Sequence, residues 1–286
     1  MGISFAYTGS AREDLLELLT PIVIDTNLRL EESALAALCM GFVFMSTCNE
    51  DVANAIMQGI MERDPKDLEA PIAIFFALGL GLTFLGQQDK IDATLQATNI
   101  IEGPLAKFMD ICLKMCGYAG SGNVLKIQEM LHIAAEQLKE KESNIHQMVS
   151  VLAVGVIAIG EQIGTGMCLR MMNHLLQYGE AHIRKIVPLT IALLNISNPA
   201  ITIMDTLAKL AYDNDMQVAQ SAIFSLGLIG AGTNNSRLAE ILRQLASYYT
   251  KDADPLFLIR ISQGLLHMGK VIIFHQNINV SSCRDF

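Results

Sequence analysis

The residues with the most chemical reach are six histidines (132, 146, 174, 182, 267 and 275), six cysteines (39, 48, 112, 116, 168 and 283) and 29 acidic residues. Ligating a metal would need them in convergent sets, such as paired histidines on one helix face or CxxC pairs. Neither pattern occurs. His174 and His182 flank a turn at Gly179 and read as structural. Cys112 and Cys116, one helical turn apart, read as buried thiols of a reducing compartment rather than zinc ligands. Nucleophile and phosphate motifs are missing as well. Ser121 sits in AGSGN and misses GxSxG at Ala119, Gly269–Lys270 is followed by Val271 and makes no P-loop, and Gly79-Leu80-Gly81 follows no predicted strand. The reading is a non-enzyme with no cofactor and no metal.

One arrangement suits binding instead. In Asp51–Arg63 (DVANAIMQGIMER), Asp51 is followed by Gln58 and Glu62 at offsets of 7 and 11 residues. At about 100° per residue these fall within roughly 20° of one meridian of a helix. Asn54 and Ala55 lie between them, and Val52, Ile56, Ile60, Met57 and Met61 are expected to face inward. The stripe is either an ordinary solvated face or an acidic rim for a partner with a basic border around an apolar patch. Glu13, Glu17, Asp89 and Asp92, on neighbouring outward helices, are expected to widen that rim.

The elements that must position these residues follow from a repeat. Pairs of small residues five positions apart recur about every 37 residues: Ser4/Gly9, Gly41/Ser46, Gly81/Gly86, Gly117/Gly122, Gly155/Gly160, Ala192/Ser197, Gly227/Gly232 and Gly264/Gly269. A fixed period of this size marks a stacked array of supersecondary units, which offers surfaces rather than one deep pocket. Each unit reads as an apolar helix, a small-residue turn and a more polar helix. Pro71–Gly86 is apolar all round, which implies burial all round. Glycine inside such a helix costs about 1 kcal/mol against alanine, so its recurrence points to close backbone approach across the stack. The second small residue fits the left-handed position that ends a helix. Asn49–Asp51, Asp89, Asn123, Asn234–Asn235 and Asn198–Pro199 then offer helix starts. Asp89–Glu102 and Asn235–Tyr248 are the amphipathic partners. No segment alternates like a strand, so the fold class is all-α, an α-solenoid of helix hairpins.

Bulk composition agrees. Hydrophobic residues make up 51% of the chain and aromatics 6%, with no Trp, so the core is aliphatic. A net charge of −9 argues against nucleic acid and suits basic protein partners. Arg12, Glu13 and Asp14 stand where a secretory leader would be apolar. Two 19-residue stretches carry no charge, 70–88 and 186–204, but Pro188, Asn195, Asn198 and Pro199 interrupt one and in-register glycines the other. They read as buried array helices, not membrane spans. Residues 1–270 form about eight repeats, 271–286 a non-repeat tail, and KEKES at 139–143 an exposed loop. The array is expected to be incomplete at both ends.

Several stretches carry a resemblance to a known family: YTGSARED from Tyr7, STCNED from Ser46, YAGSGNVLK from Tyr118, GEQIG from Gly160, HLLQYG from His174, GAGTNNSRLAEILRQLASYY from Gly230 and GLLHMGK from Gly264. Over residues 1–270 the chain resembles the proteasome/cyclosome-repeat toroid of the large non-ATPase base subunits of the proteasome regulatory particle, the ubiquitin-receptor member in particular. The resemblance implies a curved HEAT/armadillo-like superhelix that closes into a ring in the complete protein. It implies no catalysis, contact with the ATPase ring and other regulatory-particle subunits, docking of ubiquitin and of ubiquitin-like domains of shuttle factors, and residence in cytoplasm and nucleus. The family's acidic ubiquitin-binding positions match Asp51, Gln58 and Glu62, with Gln58 in place of a third acid. Beside this stand a purely structural spacer contacting ATPase or lid subunits, and an unrelated HEAT-type scaffold, against which the constant glycine spacing argues.

Overall fold

The computed structural model describes residues 1–268 apart from 27, 65, 99–100, 102 and 137–143, with backbone alone at 89, 104 and 162. Within these residues the chain is all helix and turn, with no strand, and divides into two compact units, Met1–Gly164 and Thr165 onward. The tail from 271, the KEKES stretch and Gly269 lie outside the described residues.

In the first unit, an apolar row is formed by α1 (Gly2–Ala6), α3 (Leu30–Val43), α5 (Ile74–Thr83), α7 (Pro104–Gly117) and α9 (Ile145–Ala158), each packed on the next. A second row holds α2 (Glu13–Ile24), α4 (Glu50–Met61), α6 (Asp92–Thr98) and α8 (Val124–Ala135). Here α2 packs on both α3 and α4, α4 on α5, α6 on α7, and α8 on α9. The second unit repeats the plan. Its apolar row is α11 (Ala181–Leu194), α13 (Met216–Ile229) and α15 (Ala253–His267), with α12 (Ile201–Leu210) on α13 and α14 (Ser236–Tyr248) on α15. The long α10 (Gln162–Tyr178) lies at the division. This is the expected all-α solenoid of helix hairpins.

Close approach in the apolar row is carried by glycine. A methyl group at Gly79 would stand 2.5 Å from the Ala37 carbonyl oxygen of α3, and one at Gly41 2.5 Å from the Gly79 oxygen. Gly81 instead faces α7, where a methyl would meet the Cys116 Sγ at 3.0 Å and the Cys112 carbonyl at 3.2 Å. Two positions along a helix turn it by about 200°, so Gly79-Leu80-Gly81 relieves both sides of α5 at once. In the second unit Gly227 meets Ser262 of α15 in the same way, 2.7 Å from a built Cβ to its Cβ.

The turns close a second, main-chain connection. Gly9, Ser46, Gly86, Ser197 and Gly232 all have positive φ, and each donates its N–H to a carbonyl near the end of the next apolar helix: Phe42 (3.0 Å), Leu82 (3.2 Å), Cys116 (3.0 Å), Leu228 (3.4 Å) and Leu265 (3.1 Å). Two residues on, Ala11, Cys48 and Asn234 also have positive φ and donate to the following carbonyl, of Val43, Thr83 and Leu266. A left-handed conformation costs a non-glycine residue roughly 1–2 kcal/mol. Ser46 and Ala11 hold it because these hydrogen bonds over-determine the turn.

This clasp fixes the register and corrects three expectations. In the fourth repeat Gly120 donates to Val156 and Gly122 to Ile157, so Gly120, not Gly122, is the residue equivalent to Gly9. The N-cap falls three residues after the left-handed one, at Arg12, Asn49, Asn123, Ala200 and Asn235. Asn198 is therefore one residue past the turn and caps nothing; Ala200 holds the cap position of α12 without a side-chain bond. After Gly86 a 3-10 turn, Gln88–Lys90, intervenes, and α6 starts only at Asp92 and ends at Thr98, shorter than the expected 89–102. No helix among the described residues is long and apolar enough to cross a membrane.

Candidate functional site

The site is built on α4. Asn49 starts the helix by accepting the Asp51 N–H at 2.8 Å on its side-chain oxygen, and Glu50 and Asp51 complement the positive end of the helix dipole. Val52, Ala53, Ala55, Ile56, Met57, Gly59 and Ile60 are buried. What remains outside is Glu50, Asp51, Asn54, Gln58, Met61 and Glu62. Asp51, Gln58 and Glu62 thus share one exposed ridge, and Gln58 Nε2 donates to Glu62 Oε1 at 2.7 Å, holding the amide and carboxylate side by side.

Two residues trade places relative to expectation. Ala55 is 6% exposed and Met61 53%. Met61 lies seven residues after Asn54, almost on its meridian, so the outward arc is centred on the Asn54 side of Asp51, roughly 40° round from the expected line. The neighbours explain this rotation. On one flank α2 comes so close that a methyl at Gly59 would stand 2.7 Å from the Val23 carbonyl oxygen. On the other flank a groove of about 510 Å³ separates α4 from α6, lined by Glu50, Ala53, Asn54, Met57, Ala93 and Ala97 among others.

Glu13 and Glu17 are exposed on α2, and Asp92 is exposed at the start of α6; the side chain of Asp89 lies outside the described residues. Sequence reasoning missed Asp14 and Glu50, both exposed. The signal was present, because Glu13–Asp14 and Glu50–Asp51 are the same acidic first turn one repeat apart. It also missed the apolar contribution of Leu18 on α2, 58% exposed. Acidic character is concentrated in this half of the chain: residues 1–164 hold 21 acidic and 10 basic residues, residues 165–286 hold 8 and 10.

Several of the other chemical groups make packing and ion-pair contacts. Among the described residues no set of His, Cys, Asp and Glu converges as a metal site. Cys112 and Cys116 are buried thiols; desolvation, with Cys116 adding a smaller part, pushes Cys112 well above its usual range, and desolvation pushes Cys116 up to about 12. Lys114 bridges Asp110 (2.8 Å) and Glu129 (2.6 Å), and Lys126 reaches Glu129 at 3.0 Å, pinning α7 to α8. Burial would raise the Glu129 carboxyl, but hydrogen bonds from the two lysines outweigh it and hold the group below its ordinary value. His174 packs against Tyr178, ring centroids 4.9 Å apart and planes tilted by 41°.

Comparison with known proteins gives these features a context. Residues 221–254 match the proteasome/cyclosome repeat. The 26S proteasome regulatory subunit rpn1 of Schizosaccharomyces pombe is 50% identical over 269 residues, 93% of this chain and 30% of that protein. The rpn-1 subunit of Neurospora crassa is 44% identical over 99% of this chain and 32% of its own length. The 26S proteasome non-ATPase regulatory subunit 2 of Dictyostelium discoideum is 45% identical over 94% of this chain and 30% of its own. The chain therefore spans about a third of the length of the curated relatives it matches.

Proposed function

Because the chain belongs to the proteasome/cyclosome-repeat family of 26S proteasome regulatory subunits, we propose that it is a non-catalytic scaffold that docks ubiquitin and the ubiquitin-like domains of shuttle factors through the α2–α4–α6 face. The same reading gives it contacts with the ATPase ring and other regulatory-particle subunits, and places it in the proteasome complex of cytoplasm and nucleus. The observation that carries the proposal is the exposed ridge of Asp51, Gln58 and Glu62, flanked by Glu13 and Glu17 on one side and an alanine-floored groove on the other. Carboxylates around exposed Met61 and Leu18 complement a small domain with a basic border and an apolar centre. Charges of this kind chiefly set encounter rate and orientation. Each exposed contact is modest, so a chain of linked domains gains from occupying several sites at once.

The test is titration of ¹⁵N-labelled ubiquitin with the wild-type chain and with the Asp51→Lys/Glu62→Lys variant. Reversal of two exposed carboxylates is expected to weaken binding about tenfold, ~1.4 kcal/mol, with helicity unchanged. Equal binding by the variant would remove the ridge from the site. No shift with the wild-type chain would favour the spacer reading, which the near-balanced charge of residues 165–286 already suits for that part of the chain.

A further inference from the structure

The geometry points to Arg63 as the positioning residue of this face: its buried guanidinium ties the end of α4 to the end of α2 and so sets the spacing between the two carboxylate ranks. Arg63 is the residue after Glu62, yet it is only 8% exposed. Its Nη2 donates to the Asp25 carbonyl oxygen, at the C-cap of α2, at 2.9 Å, and to Ser33 Oγ, in the first turn of α3, at 2.6 Å. Among the described residues its Nε has no acceptor. A buried cation with an unsatisfied nitrogen is a poor source of stability, since an apolar side chain of similar volume is often as good or better. What a guanidinium supplies instead is direction: fixed donors that accept one arrangement of the segments around them.

The contact one turn earlier has the same consequence. Gly59 admits the Val23 carbonyl of α2 at a distance no side chain would allow. Gly59 and Arg63 are four apart and together fasten α2 to the flank of α4 that carries Asp51 and Glu62, the flank away from the groove. Glu13 and Glu17 ride on α2. Loss of the tie removes no carboxylate but lets the α2 rank drift from the α4 rank, so a rigid partner no longer meets both.

This inference rests on the docking proposed above, and the experiment separates the two. The full chain is titrated against ¹⁵N-labelled ubiquitin as wild type, Arg63→Met, Glu13→Gln/Glu17→Gln, and the combination. Arg63→Met is expected to keep its helicity, bind two- to tenfold more weakly, and remove most of the further effect of neutralising Glu13 and Glu17, while Asp51→Lys still weakens it. Arg63→Lys, retaining the charge and a single donor nitrogen, should recover part of the loss. Gly59→Ala moves the same contact without altering a charge and should reproduce the weakening; it carries the test if Arg63→Met loses helicity. Wild-type affinity in Arg63→Met, or full multiplication of its effect with that of Glu13→Gln/Glu17→Gln, overturns the positioning role. Absence of ubiquitin shifts with the wild-type chain would instead strike at the docking itself.

Discussion

Replacing Gly79 by alanine tests the packing that everything else depends on. In an open helix interior the change stabilises by about 1 kcal/mol. Here the new methyl would stand 2.5 Å from the Ala37 carbonyl oxygen, 2.8 Å from its carbon and 3.1 Å from the Leu38 nitrogen. All three are main-chain atoms of α3 and cannot swing aside, so α5 must retreat by about 1 Å to reach ordinary contact. Overpacking of this kind costs about 1–3 kcal/mol. The retreat also strains the hydrogen bonds that Ser46 and Cys48 donate to Leu82 and Thr83, at the end of the same helix, each worth about 1 kcal/mol. Set against the propensity gain, the expected outcome is a net loss of about 2 kcal/mol. Gly264 is the control. A methyl there meets nothing within 4 Å, so Gly264→Ala should stabilise by up to about 1 kcal/mol. Urea denaturation followed by circular dichroism reads both. A Gly79→Ala protein as stable as wild type, or a Gly264→Ala protein equally destabilised, would refute the claim that glycine sits in α5 to let α3 approach.

Other outcomes follow from the turns and the buried groups. Asn235→Ala should cost about 1 kcal/mol and Ala200→Asn should gain a similar amount, because both occupy the cap position and only one now bonds the helix start; melting curves of the two variants should move in opposite directions. At pH 8, iodoacetamide followed by peptide mass spectrometry should label half-exposed Cys48 well before Cys112 and Cys116, since both of these are buried and desolvation pushes Cys116 up to about 12 and Cys112 well above its usual range, leaving little thiolate to react. Glu129 is held below its ordinary 4.5, so it contributes stability above that pH and loses it as the pH falls through its lowered value; Glu129→Gln should flatten the acid side of a plot of melting temperature against pH.

Much of the fold was legible because each repeat states its turn chemistry openly. Gly9, Ser46, Gly86, Gly160, Ser197 and Gly232 were all assigned a left-handed backbone from spacing alone, and all have positive φ. What spacing could not resolve was register where several small residues crowd together. In YAGSGN two glycines compete for the turn, and only the hydrogen bond from Gly120 to Val156 identifies the equivalent one. Asn198–Pro199 looked like a helix start because both residue types favour one, yet the clasp had already fixed the cap two residues later. On α4 the period put Asp51, Gln58 and Glu62 on one face, as observed. It could not tell how the helix is rolled, because that depends on α2 pressing on Gly59, a contact across 36 residues. Met61 is exposed and Ala55 buried for that reason. Arg63 gave no signal at all: an arginine closing an amphipathic helix normally reaches solvent, and only its acceptors at Asp25 and Ser33 explain its burial.

The clasp between successive hairpins is made of amide and carbonyl groups, which every residue other than proline possesses. Shape in this molecule is consequently inherited independently of ornament. An outward helix can exchange acid for base, or lose charge altogether, without altering the pitch at which its neighbours follow. The first unit is strongly anionic and the second near neutral, yet both use the same turn. The aim of the ridge on α4 is a separate matter, since Gly59 and Arg63 fix how that helix is rolled against its neighbour; moved to another hairpin, the ridge would have to travel with both.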